Sequence, residues 1–282
     1  MYVITMLVPV IDPVAIQIGP INIHWYGLSY GLGLLLGWIY ISSKFILNHT
    51  ADKFIGREMI SNFLPWAIIG IIFGGRFGYV LIYDLSYFLE NLDEIYKIWN
   101  GGMSFHGGLI GIIISTLIFS KKYKLNFLSL ADLLAISAPI GIFFGRISNF
   151  INHELIGKPS DLPWSVIYPT GELISRHPSQ IYEAILEGLV LFFILLVACK
   201  RYCILRTPGN ASAIFLIFYG VFRIISEMYR LPDDQIGYIF GQVTIGMIIS
   251  IPMMVLGIIL VIADIFLGYG FLSKLIFIFK IV

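Results

Sequence analysis

"LSLADLLAISAPIGIFFGRISNFINHELIG", Leu128 to Gly157, begins as an apolar run and ends as a polar cluster. A helix needs about 20 mainly apolar residues to cross the hydrocarbon core of a bilayer, and residues 128–149 supply them. Yet Arg146 and Asn149 sit in the last turns, with Asn152, His153 and Glu154 just beyond. An arginine inside a bilayer costs about 2.5–3.5 kcal/mol even on a lenient insertion scale. The stretch therefore predicts a transmembrane helix whose exit carries groups that need partners or a function.

The rest of the chain agrees with a membrane setting. Of 282 residues, 58% are hydrophobic and 12% are charged, and mean hydropathy is +0.89. A soluble protein has about 25% charged residues. Net charge is +1, so no overall field attracts nucleic acid. No basic arm, Gly-rich nucleotide loop, low-complexity segment or internal repeat is present. The two cysteines, Cys199 and Cys203, flank Lys200 and Arg201. On a cytoplasmic loop they are expected to be free thiols.

The pattern predicts an all-α, polytopic membrane helix bundle of seven spans, at about 23–41, 60–83, 104–120, 128–149, 181–199, 211–228 and 240–267. The whole chain, 1–282, reads as one integral membrane domain with a small extracytoplasmic cap at about 150–180. Pro159, Pro163, Pro169 and Gly171 break any long helix in that cap. Residues 1–20 read as an interfacial lead-in without the basic region of a signal peptide.

Charges sort between alternate connections. Lys44, Lys53, Arg57, Lys121, Lys122, Lys124, Lys200, Arg201 and Arg206 share one side with Lys274 and Lys280 of the tail. The other side carries Asp84, Glu90, Asp93, Glu94, Asp161, Glu172, Asp233 and Asp234, together with Lys97, Lys158, Arg176 and Arg230. The positive-inside rule then predicts the N-terminus outside and the C-terminus in the cytoplasm. Small-xxx-small pairs, among them Gly70/Gly74, Gly74/Gly78 and Gly107/Gly111, let helices approach closely.

Arg76, Arg146 and Arg223 lie within or at the outer ends of spans. Arg76 admits a snorkelling, structural reading as readily as a functional one. On the sixth span Tyr219, Arg223, Glu227 and Arg230 fall within about 80° of one helix face. An Arg223–Glu227 pair within the helix is the plainer alternative. A guanidinium fork matches phosphate, so converging arginines would suit an anionic headgroup. His106 opens the third span in "SFHGGLIG", where Gly107 and Gly108 clear room for a helix or for a substrate. "HWYG", His24 to Gly27, puts Tyr26 near the same level as the other polar groups. No two histidines lie at metal-ligand spacing on one helix, and no G-x-S-x-G elbow occurs.

Together "HGGLIG", "GRISNFINHELIG", "RHPSQIYE" and "YGVFRIISEMYRLPD" resemble the phosphatidylglycerol–prolipoprotein diacylglyceryl transferases, bacterial inner-membrane enzymes of lipoprotein biosynthesis. The motifs stand in that family's order, and the resemblance runs from about Ile21 to Pro252. It implies transfer of a diacylglyceryl group from phosphatidylglycerol to the lipobox cysteine thiol of a prolipoprotein, with release of glycerol phosphate. It implies no metal or organic cofactor. By motif, His106, Arg223, Tyr26 and Tyr219 carry over as catalytic, and Arg146, Asn149, Gly157 and Glu227 as substrate-binding. Asp132 also corresponds to a residue implicated in that family.

The chemistry fits the residues. A thiol with a pKa of about 8.5 must lose its proton before attacking carbon, a task for a general base such as His106. Arg146 and Arg223 suit the leaving phosphate. The family signature has glycine where this chain has Ser148. Serine is small enough for close packing, although a positive φ there would strain it, and Ser148→Gly is expected to leave activity roughly intact because it restores the usual family residue. Two other readings share the arginines: a lipid transporter or scramblase with an anionic-headgroup cavity, and a structural membrane subunit.

Overall fold

The computed structural model describes residues 6–19, 21–82, 85–98, 101–169, 171, 173–232 and 237–266. Lys274 and Lys280, and with them the expected cytoplasmic tail, lie outside these residues, as do Asp84, Glu172, Asp233 and Asp234. The chain divides into two compact units.

One unit is formed by residues 42–131. Its elements are α2 (Lys44–His49), α3 (Arg57–Ile82), α4 (Leu85–Glu90) and α5 (Phe105–Tyr123). Helices α3 and α5 pack backbone to backbone through their glycines. A Cβ at Gly78 would come 2.6 Å from Gly107 Cα, and one at Gly74 would come 2.7 Å from Gly111 Cα. Only glycine permits that approach. Ser104 starts α5 by accepting from Gly107 N, 3.2 Å away, and Lys124 ends it in a left-handed conformation at φ 54°.

Residues 1–41 and 132–282 form the second unit. It contains β1 (Met6–Leu7), β2 (Val14–Ile18), β3 (Ile21–His24) and α1 (Trp25–Ile41). Helix α6 (Phe127–Ile151) supplies most of its length to this unit. Then come β4 (Val166–Ile167), β5 (Ser175–Arg176) and α7 (Ser179–Glu183). A π-helical stretch, Ala184–Val190, continues α7 into α8 (Leu191–Tyr202). The unit closes with α9 (Asn210–Glu227), β6 (Tyr238–Phe240), β7 (Val243–Thr244) and α10 (Ile245–Phe266).

Helices occupy each of the seven expected segments, and among the described residues five stretches are long and apolar enough to cross a membrane: α3, α6, α7 through α8, α9 and α10. Their outer faces are apolar. Helix α10 buries only 11% of its most apolar window, leaving Leu256, Ile259 and Ile262 exposed. In water such a surface would be a severe liability, but against lipid it meets its own kind.

The architecture is not purely helical, because the connections form short strands. β2 and β3 make an antiparallel hairpin that takes up the end of the expected interfacial lead-in. β1 pairs in parallel with β4, Met6 opposite Val166, and β4 pairs with β5. Val8, Val166 and Tyr168 form a small core there, with Phe150 and Ile156 against it. The 150–180 segment thus has its own packing.

Ser148 is ordinary helix in α6, not a positive-φ position. Its buried hydroxyl lies 2.5 Å from Ser29 Oγ and donates to Trp25 O at 3.3 Å. It therefore ties α6 to α1 and is more than a tolerated substitute for glycine. Gly33 adds to that seam, since a Cβ there would come 2.8 Å from Gly141 Cα. Cys199 and Cys203 are both free.

Candidate active site

Asp132 fixes the helix that carries half the site. Its carboxylate reaches from α6 to the start of α9, accepting from Gly209 N, Ser212 N and Ser212 Oγ, each at 2.7 Å. Gly209 brings no side chain of its own for that purpose, so Asp132 does the work of an N-cap from a neighbouring helix. One carboxylate stabilises three donors at the dipole's positive end.

Helix α9 then presents Tyr219, Arg223 and Glu227, and Arg230 follows just past its last residue. The intrahelical Arg223–Glu227 pair exists, from Arg223 Nη2 to Glu227 Oε1. It is only part of a larger network. Arg223 Nη1 donates to Glu183 Oε1 at 2.6 Å and lies 3.6 Å from Glu187 Oε1. Arg146, arriving on α6, lies 3.0 Å from Glu183 Oε2 through Nη1 and donates to Glu187 Oε2 at 3.2 Å through Nη2. Arg230 Nη1 is 3.4 Å from Glu227 Oε1 and 3.6 Å from Glu183 Oε1. Thr244 Oγ1 donates to the other oxygen of Glu227 at 2.8 Å.

Two of these carboxylates were not among the expected site residues. Glu183 and Glu187 are 0% exposed, whereas the side chains of Arg146 and Arg223 keep 17% and 13%. The two carboxylates are fully covered, and most of the exposure this network keeps lies on the two arginine side chains. Their signal was in the sequence: two acids four apart in an apolar span, each as costly there as an arginine. The π-helical register, with its i→i+5 bonds, begins right after Glu183 and holds Glu187.

A second polar group adjoins Arg146. Tyr26 on α1 donates to Glu154 Oε2, and Asn149 on α6 donates through Nδ2 to both the Tyr26 hydroxyl and, at 3.2 Å, Glu154 Oε2. Arg146 interacts electrostatically with Tyr26 and Tyr30. Glu154 stands between two non-glycine residues with positive φ, His153 at 57° and Leu155 at 56°. Such a backbone costs about 1–3 kcal/mol per residue and persists only where its surroundings impose it. Here Gln180 Nε2 donates to Glu154 O at 2.5 Å and Ser179 Oγ to Leu155 O at 2.9 Å.

Gly157 is required by space. A Cβ there would run into the His177 carbonyl oxygen and come 2.8 Å from His177 Cβ. Gly157 also forms an isolated antiparallel bridge with Arg230, and Leu231 N donates to Ile156 O at 3.1 Å. Its place is therefore in seating the chain beside Arg230.

Burial and the nearby Lys158 charge hold His177 below the usual histidine pKa. Its ring packs against Tyr182 and Tyr229.

His106 and Arg76 belong to the other unit. His106 is exposed on the first turn of α5. The space that Gly107 makes beside it is filled by α3, since a Cβ at Gly107 would come 2.9 Å from Gly78 Cα. Arg76 is structural. It is buried, and its donors go to the carbonyls of Ile95 (2.8 Å), Gly101 (2.5 Å), Gly102 (3.0 Å) and Glu94 (2.6 Å). A cavity of about 230 Å³ opens beside it, between Tyr79, Tyr87 and Phe88. Among the described residues, no three His, Cys, Asp or Glu side chains converge on a metal site.

Arginine forks backed by buried acids suit an anion that arrives with an apolar body, which is the chemistry of a phospholipid. Known proteins point the same way. Residues 13–263 match the family model of prolipoprotein diacylglyceryl transferase. A phosphatidylglycerol–prolipoprotein diacylglyceryl transferase of Rickettsia typhi is 51% identical over 252 residues, covering 89% of this chain and 96% of the relative. The Rickettsia bellii protein of that name is 50% identical over 260 residues, 91% and 97% of the two chains. The one from Rhodospirillum rubrum is 46% identical over 252 residues, 89% and 91%. A match of this extent leaves one conclusion: the chain belongs to the prolipoprotein diacylglyceryl transferase family.

Proposed function

We propose that this protein is the enzyme its relatives are named for, moving a diacylglyceryl group from phosphatidylglycerol to a prolipoprotein. The acceptor is the lipobox cysteine thiol. Its sulfur forms a bond to the terminal glycerol carbon of the diacylglyceryl group, and that carbon's bond to the phosphate oxygen breaks. The thiol proton is lost, and glycerol phosphate leaves with the electron pair. The nucleophile belongs to the substrate, so neither free cysteine, Cys199 or Cys203, is called on.

The observation that carries the reading is the Arg146–Arg223 pair with its buried acidic partners. Charge-assisted, bidentate hydrogen bonds are the strong ones for phosphate, and they strengthen as the leaving group gains charge. Tyr219 is on the same face of α9, and Glu227 holds Arg223 in orientation. Tyr26 and Asn149, joined through Glu154, are polar partners for the glycerol hydroxyls. His106 is the candidate base for the thiol.

The setting is a bacterial inner membrane, with α1 and α5 also crossing to make seven spans. The N-terminus and the 150–180 cap lie outside. Lys121, Lys122, Lys124, Lys200, Arg201 and Arg206 lie on the cytoplasmic side.

The test is to incubate purified protein in detergent with phosphatidylglycerol and a synthetic lipobox peptide, and to weigh the peptide by mass spectrometry. A thioether-linked diacylglyceryl adduct is expected. Lipid movement across vesicles with no adduct would make the protein a scramblase instead.

A further inference from the structure

Arg146, Arg223 and Arg230 face Glu183, Glu187 and Glu227, so the ionised cluster sums to zero before any ligand arrives. A phosphodiester brings one negative charge. Placed on a neutral, buried cluster, that charge would be uncompensated, and burial of such a charge is strongly unfavourable. A carboxylate must therefore move away or be neutralised.

The packing leaves Glu183 and Glu187 little room to move. Glu183 and Glu187 are fully buried on a continuous helix. One turn beyond Glu183, Gly188 packs backbone against α6, where a Cβ would come 2.9 Å from Phe143 Cα. The groups facing the pair from the other elements are Arg146 on α6, Tyr219, Arg223 and Glu227 on α9, and Arg230 beyond it. Neutralisation is what remains.

We propose that Glu183 and Glu187 are positioning residues that hold both arginine forks in register and together take up one proton when the anionic headgroup binds. A proton from water or buffer forms an O–H bond on one carboxylate oxygen. Nothing is oxidised, and the proton is returned when the phosphate product departs. Arginine donors freed from the protonated carboxyl then turn toward the phosphate, while the carboxylate that stays ionised keeps a cation partner. This inference rests on the headgroup reading above.

The test follows binding of dioleoylphosphatidylglycerol to the full-length protein in phosphatidylcholine nanodiscs as pH is varied, using wild type, Glu183→Gln, Glu187→Gln and Arg146→Gln. The phosphodiester keeps one charge throughout. Uptake of one proton makes wild-type affinity fall about tenfold per pH unit on the alkaline side. The binding enthalpy should vary with the ionisation enthalpy of the buffer to the extent of one proton per lipid. A glutamine mimics the neutral carboxyl, so at least one Gln variant should bind tightly with a flat pH profile. Thermal unfolding identifies variants that fold, and the wild-type buffer series needs no variant at all. Arginine-dependent binding without pH or buffer dependence would overturn the proton uptake alone. So would folded Gln variants that both lose binding. Wild-type affinity in Arg146→Gln would instead remove the headgroup reading on which the inference stands.

Discussion

Replacing Arg223 with lysine keeps the charge and removes the fork. In the native site Nη1 donates to Glu183 Oε1 at 2.6 Å while Nη2 meets Glu227, so both edges of the guanidinium are engaged at once. A lysine ammonium is a compact point charge on a flexible stem and lacks the planar, parallel donors of the guanidinium fork. A hydrogen bond to a charged partner contributes about 1.5–3 kcal/mol. If that bond is fully used only as the phosphate leaves, its loss slows transfer by roughly 10- to 150-fold, at about 1.36 kcal/mol per tenfold. The residual charge protects folding, because the buried carboxylates still face a cation. Removing the charge, as in Arg223→Ala, should cost about 3–5 kcal/mol of stability. The assay measures protein level, phosphatidylglycerol binding and peptide transfer for wild type, Arg223→Lys and Arg146→Lys in detergent. A well-folded Arg223→Lys protein with normal binding and normal turnover would refute the reasoning.

Asp132→Ala should destabilise the protein by about 1–2 kcal/mol, as loss of a helix cap does; the unfolding temperature and transfer rate should fall together, and an unchanged unfolding temperature would show that α9 needs no such cap. Gly157→Ala should accumulate poorly, because its Cβ collides with the His177 backbone; normal expression with normal activity would mean that the chain there relaxes easily. His177 titrates below the unfolded value of about 6.5, so it favours the folded state above that pH, and this contribution is lost as pH falls through its folded pKa. His177→Gln should therefore flatten the acid side of the stability profile, read as unfolding temperature against pH. Ser148→Gly should lower the unfolding temperature slightly while specific activity of the folded protein is kept, since it gives up the hydroxyl contacts to Ser29 and Trp25.

The long helices were legible because a bilayer leaves little choice: an apolar run of sufficient length must satisfy its own backbone, and only a helix does so locally. Arg146 and Arg223 stood out for the same reason. Arg76 looked alike in sequence, and what separates it is a loop that folds its carbonyls back over α3. No local pattern announces that. The strand pairing of Met6 with Val166 joins segments remote in sequence, and two-residue strands carry no periodicity of their own. Glu154 was visible as a polar residue, but its setting was not. Left-handed backbone usually announces itself with glycine, and here histidine and leucine adopt it. Glu183 and Glu187 were the readable signal that motif matching passed over. Intramembrane acids imply nearby cations, and the two cations were already in hand.

The most direct test of the arginine pair is a structure of the protein with a non-transferable phosphatidylglycerol analogue bound in a nanodisc. The phosphate should lie within hydrogen-bond distance of both Arg146 and Arg223, with Glu183 and Glu187 still beside them. A headgroup seated out of reach of both guanidiniums, for instance in the cavity beside Arg76, would contradict the proposed site outright.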